Sequence, residues 1–243
     1  LNYLTHSSMI SHLRKTNLHL DSGAKIIGPR KLHGSHWGFF DPIDTPDGGN
    51  IGIHKHMSIG AYISRGISKT HIVKWLNEHT KIEHIENVFL LNLDKFTKVF
   101  VNGSMNGIIR KPYELIDIFK LHRRNGLIPI YTSINFEIDD NLINIYCDSG
   151  RICRPIFYKD GKNMSFENKT VLSTIEKGKY KWNDLISGFN EKKVDKYHPN
   201  DYNMYNMETL YGLNESPAKL QTFIDNKGII DYIDNSESES AMV

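Results

Sequence analysis

Cysteine is scarce: Cys147 and Cys153 are the only two in 243 residues. Their spacing differs from CxxC, so the sequence supports neither a zinc ribbon nor a disulfide framework. Two thiols suit a reducing compartment. No run of 18 apolar residues occurs, so no membrane-spanning helix is expected. The first ten residues lack a cationic start followed by an apolar stretch and are not expected to be a signal peptide. An excess of one charge is missing too. Lys and Arg number 30 against 28 Asp and Glu, a formal net charge of +2. Bulk charge therefore does not mark a polyanion binder, and any such contact must come from local patches. There is no G-x-S-x-G or P-loop pattern, and no pair of carboxylates stands out for acid–base work.

What is present is a composition near that of globular proteins, with 39% hydrophobic and 24% charged residues, enough for a packed core. The length allows one large domain or two to three small ones. Residues 1–65 are rich in Gly, Pro and His and hold seven of the twelve histidines. A helix is expected over residues 8–16, with Met9, Ile10 and Leu13 on one side and Arg14 and Lys15 at its end. Asp21-Ser22-Gly23 is a turn signal. Between Gly28 and Gly52, glycines and prolines recur too often for long regular elements. Residues 66–157 predict a compact α+β unit. A helix over 70–79 is capped by Thr70. Strands flank Asn102-Gly103. A helix opens at Pro112 and stops at Gly126, with Arg123 and Arg124 as a charge pair in its last turn. Strands over 134–138 and 142–147 meet at Asp139-Asp140-Asn141, and a strand covers 152–158. Residues 158–243 are more polar. Helices are expected over 171–177 and 219–225, a strand over 228–233, and loops over 160–169, 190–206 and the acidic end from Asp234 to Ser240. Arg151 and Arg154, which flank a strand, are expected to pair with acids of their own domain.

The most informative stretch runs from Pro29-Arg30-Lys31-Leu32-His33 through His36-Trp37-Gly38 to Thr45-Pro46-Asp47, Asn50 and Gly52. Prolines fix φ, and glycines admit positive φ or close backbone approach. Trp37 supplies a large apolar anchor. Arg30, Lys31, His33 and His36 add donors to that frame. Such a constrained loop either presents groups to a ligand or is simply well packed, and physics alone leaves both open. The histidines do not form a metal motif: none sits in an H-x-x-x-H helix beside a Glu, and Lys55 separates His54 from His56. No metal ligand is assigned.

This stretch resembles the fork region of the second-largest subunit of multisubunit DNA-directed RNA polymerases, where the pattern is P-R-x-L-H-x-x-H-W-G followed by C-P-x-x-T-P-E-G. Asp41 stands in place of the usual Cys and Asp47 in place of Glu, and His54 and His56 replace an apolar and an amide residue. Four further segments match in the same order: Ser11-His12-Leu13-Arg14-Lys15-Thr16-Asn17; Val99-Phe100-Val101-Asn102-Gly103 with Gly107 and Arg110-Lys111-Pro112; Asp148 to Pro155; and Gly228 to Asp234. Together they span nearly the whole chain, with eukaryote- or archaeon-like spacing.

The resemblance implies an α+β internal fragment: a fork-like segment (1–65), two external domains (66–157 and 158–235) and the start of a hybrid-binding region (236–243). It implies that Arg14, Lys15, Lys25, Arg30 and Lys31 line a nucleic-acid path, with the loop of residues 20–27 at the downstream edge of the transcription bubble. His33, His36, Trp37, Thr45, Pro46, Asp47 and Asn50 would support the active centre without doing chemistry. Implied partners are template DNA, nascent RNA and other polymerase subunits, including the largest. No cofactor is expected on this chain, the magnesium of the assembled enzyme being held mainly by the largest subunit. Alone, the chain is expected to be inactive. A split piece acting only as a docking module is the alternative reading, and a small metal-dependent enzyme is a distant third. The Asn, Ile and Lys bias suggests an AT-rich genome and a large DNA virus of eukaryotes, with location in a virion, a cytoplasmic viral factory or a nucleus.

Overall fold

A computed structural model describes residues 3–21, 23–87, 95–167, 169–178, 181–188, 224–225 and 227–241. The chain divides into two compact units, residues 1–63 with 152–154, and residues 64–151 with 155–243.

In the first unit, helix α1 (His6–Leu13) starts two residues before the expected position, because the Thr5 hydroxyl accepts a hydrogen bond from the Ser8 amide at 3.1 Å and caps it there. It also ends sooner. Residues 15–17 form β1 (Lys15–Asn17), antiparallel to β2 (His54–His56), with Thr16 opposite Lys55. No residue of α1 is buried, so its apolar side faces outward within this chain. As expected, residues 28–52 hold no long element: three single-turn 3-10 helices, Gly28–Arg30, Gly34–His36 and Gly48–Asn50, carry the chain. Strand β3 (Tyr62–Ile63) pairs antiparallel with Cys153 and Ile152. The buried apolar residues of this unit are Phe39, Ile53, Met57, Ala61 and Cys153.

The second unit is an α+β body. Helix α2 (Lys69–His79) is capped by Ser68, whose hydroxyl accepts from the Thr70 amide, so Thr70 is already inside the helix. Strands β4 (Thr97–Val101) and β5 (Ser104–Ile109) meet at Asn102 and Gly103, both at positive φ (47° and 75°), as a two-residue hairpin turn requires. Helix α3 (Pro112–Arg124) follows, then β6 (Ser133–Glu137) and β7 (Leu142–Tyr146). The sheet order is β5-β4-β7-β6, with β4 and β7 parallel and the other pairs antiparallel. Alternate residues of β4 and β7 are buried, and Val99, Val101, Ile143 and Ile145 pack with Trp75, Leu76, Leu115 and Phe119, the period-two pattern of a sheet with one covered face.

Beyond β8 (Ile152–Phe157) the expected loop over 160–169 is instead a small hairpin, β9 (Lys159–Asp160) and β10 (Asn163–Met164), turning at Gly161 with φ 62°. Helices α4 (Lys169–Glu176) and α5 (Trp182–Ser187) come next. The loop expected over 190–206 and most of the helix expected over 219–225 lie outside the described residues. Strand β11 (Ile230–Asp234) and helix α6 (Asn235–Ser240) complete the unit.

The acidic end is the main correction. Read as a surface loop, it forms α6, capped by Asp234, whose carboxylate accepts from the Glu237 amide at 2.8 Å. Asp231, Asp234 and Glu237 are all buried. Their partners are the arginines expected as a charge pair at a helix end and as the flank of a strand. Arg123, only 1% exposed, donates through Nη1 to Glu237 (2.7 Å) and the Thr132 carbonyl (2.8 Å), and through Nη2 to Glu237 (2.8 Å) and Asp231 (3.0 Å). Arg124 donates to Asp231 and lies over the Tyr158 ring. Arg151 pairs with Asp148, as expected of an acid in its own unit, and also with Asp234. Burial alone would raise the Asp231 pKa, but Arg123 and Arg124 outweigh it and hold the carboxyl below its ordinary value.

His122 is buried beside this network. The Trp75 indole N–H donates to its Nδ1 at 2.8 Å, which places the ring proton of the neutral form on Nε2. Burial, reinforced by His79, pushes its pKa down to about 3. The folded chain therefore refuses a proton that the unfolded chain accepts near pH 6.5. Stability should fall by up to about 1.4 kcal/mol per pH unit as pH drops from about 6.5 towards 3, and Asp231 adds to the loss at the acid end. His122→Gln keeps an acceptor for the indole. Unfolding midpoints at pH 7, 6, 5 and 4 should show a flatter profile for that variant than for the parent chain.

Candidate nucleic-acid interface

The sequence-predicted residues fall on the loops of the first unit. The segment 33–40 is a chain of tight turns. The His33 Nδ1 accepts from the Ser35 amide and caps the Gly34–His36 turn, and the His36 carbonyl accepts from the amides of Phe39 and Phe40. The His36 ring meets Phe40 edge-on at 5.5 Å. Burial, with Lys55 and His33 nearby, lowers its pKa, which favours the neutral ring. Both histidines thus hold loop shape. Gly38 sits at φ 78°, and a Cβ there would come 2.7 Å from the Arg154 Cδ. Arg154 was expected to pair with an acid. Its Nη1 donates to the Trp37 carbonyl at 2.9 Å, and its guanidinium lies 5.3 Å from the Phe39 ring centre. Trp37 is therefore anchored by its backbone, not by its ring. Trp37, expected as a large apolar anchor, is 77% exposed at the edge of a cavity of about 610 Å³ lined also by Leu32, His33, His36, Phe40 and Pro42.

The second turn carries Thr45, Pro46, Asp47 and Asn50. The Thr45 hydroxyl donates to the His54 carbonyl (3.0 Å) and accepts from the Gly52 amide (2.8 Å), pinning both ends of the turn. Pro46 is half-buried. Asp47 begins the Gly48–Asn50 turn without a side-chain cap bond, and both Asp47 and Asn50 are exposed. Asp41, in place of the usual Cys, accepts from the amides of Ile43 and Asp44, and these bonds lower its pKa. It serves the turn without needing a thiol.

The cations divide into two sets. Arg14 donates to the carbonyls of Ser58 (2.6 Å) and Ala61 (2.9 Å), and Arg30 to those of Ala24, Ile26, Gly49 and Ile51. Lys25 and Lys31 are exposed, and Lys15 is half-buried on β1. In the loop that precedes them, Asp21 accepts from the Gly23 amide, making the expected turn. Residues 1–63 hold six Lys and Arg against four Asp. Lys55, which sequence reasoning treated only as a spacer between two histidines, donates to the Pro29 carbonyl at 2.8 Å. Its place in a strand between turns was the available signal. His56 contacts Asp44 at 3.2 Å. Among the described residues no group of three or more His, Cys, Asp or Glu is placed to hold a metal ion.

The first unit thus presents exposed Lys25 and Lys31 on turn-locked loops. Comparison with known proteins narrows this. Residues 1–63 match the family described as RNA polymerase Rpb2, domain 3, and residues 99–160 match RNA polymerase Rpb2, domain 4. The chain is similar to the DNA-directed RNA polymerase II subunit RPB2 of Encephalitozoon cuniculi, 36% identical over 79% of this chain and 17% of that protein. The RPB2 of Meyerozyma guilliermondii is 33% identical over all of this chain and 18% of its own length. An archaeal DNA-directed RNA polymerase subunit Rpo2, from Saccharolobus shibatae, is 30% identical over 74% of this chain and 17% of that protein. The chain belongs to the family of second-largest subunits of multisubunit RNA polymerases, and it spans under a fifth of the length of these relatives. They are eukaryotic and archaeal, and lend no support to the viral source suggested by composition.

Proposed function

We propose that this chain acts as part of a DNA-directed RNA polymerase, in DNA-templated RNA synthesis, with its first unit bordering the path of the nucleic acids. The observation that carries the reading is the coincidence of the Rpb2 domain 3 match with a loop frame on which Lys25 and Lys31 are exposed. Lys15, Lys25 and Lys31 contact phosphate, while Arg14 and Arg30 hold the loops that present them. Asp47 and Asn50, exposed on the second turn, lie towards the active centre in a supporting role. Partners are template DNA, nascent RNA and the largest subunit. The magnesium that nucleotide addition uses stabilises attacking and leaving oxygens. In this reading it is held mainly by the largest subunit. No observation here favours a separate docking module.

Phosphate contacts release counterions and make affinity salt-dependent. In a polymerase assembled with the full-length subunit, Lys25→Ala and Lys31→Ala should each weaken DNA binding across sequences and reduce the slope of log affinity against log salt by about 1. Slopes unchanged in both variants would remove these lysines from the path.

A further inference from the structure

Arg30 sits where two loops of the first unit meet. Its Nε donates to the Ile26 carbonyl at 3.1 Å and its Nη2 to that of Ala24 at 3.4 Å, both in the loop that carries Lys25. Its Nη1 donates to the carbonyls of Gly49 (2.7 Å) and Ile51 (2.9 Å), in the turn that carries Asp47 and Asn50. One guanidinium thus spans two loops and, among the described residues, bonds carbonyls in both. Backbone packing closes the same junction. Gly52 sits at φ 72°, and a Cβ there would fall 2.4 Å from the Arg30 carbonyl oxygen and 2.5 Å from its Cα. Lys55 ties the neighbouring Pro29 carbonyl to β2.

The chemistry calls for arginine at this point. A guanidinium is a planar fork of five N–H donors on fixed bearings, whereas an ammonium is a point charge with three donors on one atom. Only the fork reaches carbonyls on opposite sides at once. A guanidinium whose donors already face four carbonyls is also poorly placed to grip a phosphate.

We propose that Arg30 is a positioning residue: it fastens the loop segment of residues 23–27 to the turn of residues 47–51, so that the part bordering DNA and the part directed to the active centre move as one body. This rests on the functional reading above and adds to it a mechanical link between the two places. Release of the clamp lets the loop and turn shift independently, so template register at the active centre loosens, while the number of lysines available to phosphate is unchanged.

The test uses polymerase assembled with the full-length subunit carrying Arg30→Lys or Arg30→Met. The readouts are kcat and KM for addition of a single nucleotide and the salt dependence of DNA affinity. Both variants should lower kcat by roughly ten-fold, the scale on which small misplacements act, with KM little changed and the salt slope unaltered. A phosphate contact would behave otherwise: Arg30→Lys would work normally and Arg30→Met would lower the salt slope by about 1. That result, or wild-type nucleotide addition by Arg30→Lys, overturns the proposal. An Arg30→Lys subunit that no longer assembles makes Arg30 a folding residue and overturns it as well. Failure of the reading beneath it shows separately, as salt slopes that ignore Lys25 and Lys31.

Discussion

Arg123→Met should destabilise the second unit by about 3–5 kcal/mol, the range seen when one partner of a buried ion pair is removed. The methionine fills much of the space, so the loss is not chiefly a cavity. It comes from Asp231 and Glu237, which stay buried after their shared cation has gone. Arg124 still reaches Asp231, and Lys120 stands 3.9 Å from Glu237, so part of the charge remains balanced. Arg123 is the main group that holds the Asp231 carboxyl below its ordinary value, so the loss is also a pH effect: the variant should recover stability relative to the parent chain as pH falls and Asp231 becomes neutral. Since domains are stable by only about 5–15 kcal/mol, the predicted loss is a large fraction of the total. Adding Asp231→Asn and Glu237→Gln to Arg123→Met should cost less than the sum of the separate changes, because the acids matter only while charged. Urea midpoints of the 243-residue chain and these variants measure both quantities. A cost below about 1 kcal/mol for Arg123→Met would mean that the network is not closed in the way described.

Gly52→Ala should be the most damaging of three alanine substitutions at positive-φ glycines in the first unit. All three positions, Gly38, Gly48 and Gly52, lie between φ 72° and 78°, so each carries the same backbone penalty of roughly 1–3 kcal/mol for a residue with a Cβ. They differ in what the Cβ meets. At Gly48 nothing lies within 4 Å. At Gly38 the nearest atom is Cδ of the Arg154 side chain, which can swing aside at the expense of its bond to Trp37. At Gly52 the nearest atoms are the Arg30 backbone at 2.4 and 2.5 Å, which can yield only by moving the loop. The expected order of destabilisation is Gly52, then Gly38, then Gly48. Hydrogen exchange at the amides of Gly52 and Ile53, bonded to Thr45 and Asn50, reports it locally. Equal losses at all three positions would show that the Arg30 junction is looser than its geometry indicates.

How much of this could be read from sequence depended on how local the causes were. Pro112 and Gly126 bracket α3, and Asn102-Gly103 makes a hairpin, because each signal acts within a few residues of itself. The Gly- and Pro-rich loops were legible for the same reason. The acidic end was not. Asp234 and Glu237 resemble a solvated tail until Arg151 and Arg123 arrive from 83 and 114 residues away. One local clue was available: an Asp followed three residues later by Glu is a helix-start pattern. Gly161-Lys162 between β9 and β10 was likewise a two-residue turn signal that polarity concealed. At the candidate interface, the residue types were visible but their engagements were not. Nothing in the string Pro29-Arg30-Lys31 says that the arginine turns inward to carbonyls while the lysine stays exposed. Nor does the sequence reveal that Arg154 holds Trp37 by its carbonyl, a contact 117 residues long.

On the proposed function, the loop carrying Lys25 borders DNA in a working polymerase. A photo-crosslinking residue placed at position 25 of the full-length subunit, in a polymerase halted on a defined template, measures this directly. Crosslinks are expected to DNA just ahead of the RNA 3′ end, advancing by one nucleotide with each nucleotide added. An active polymerase whose position 25 crosslinks only to protein, or to DNA at a place that does not move with the enzyme, would contradict it.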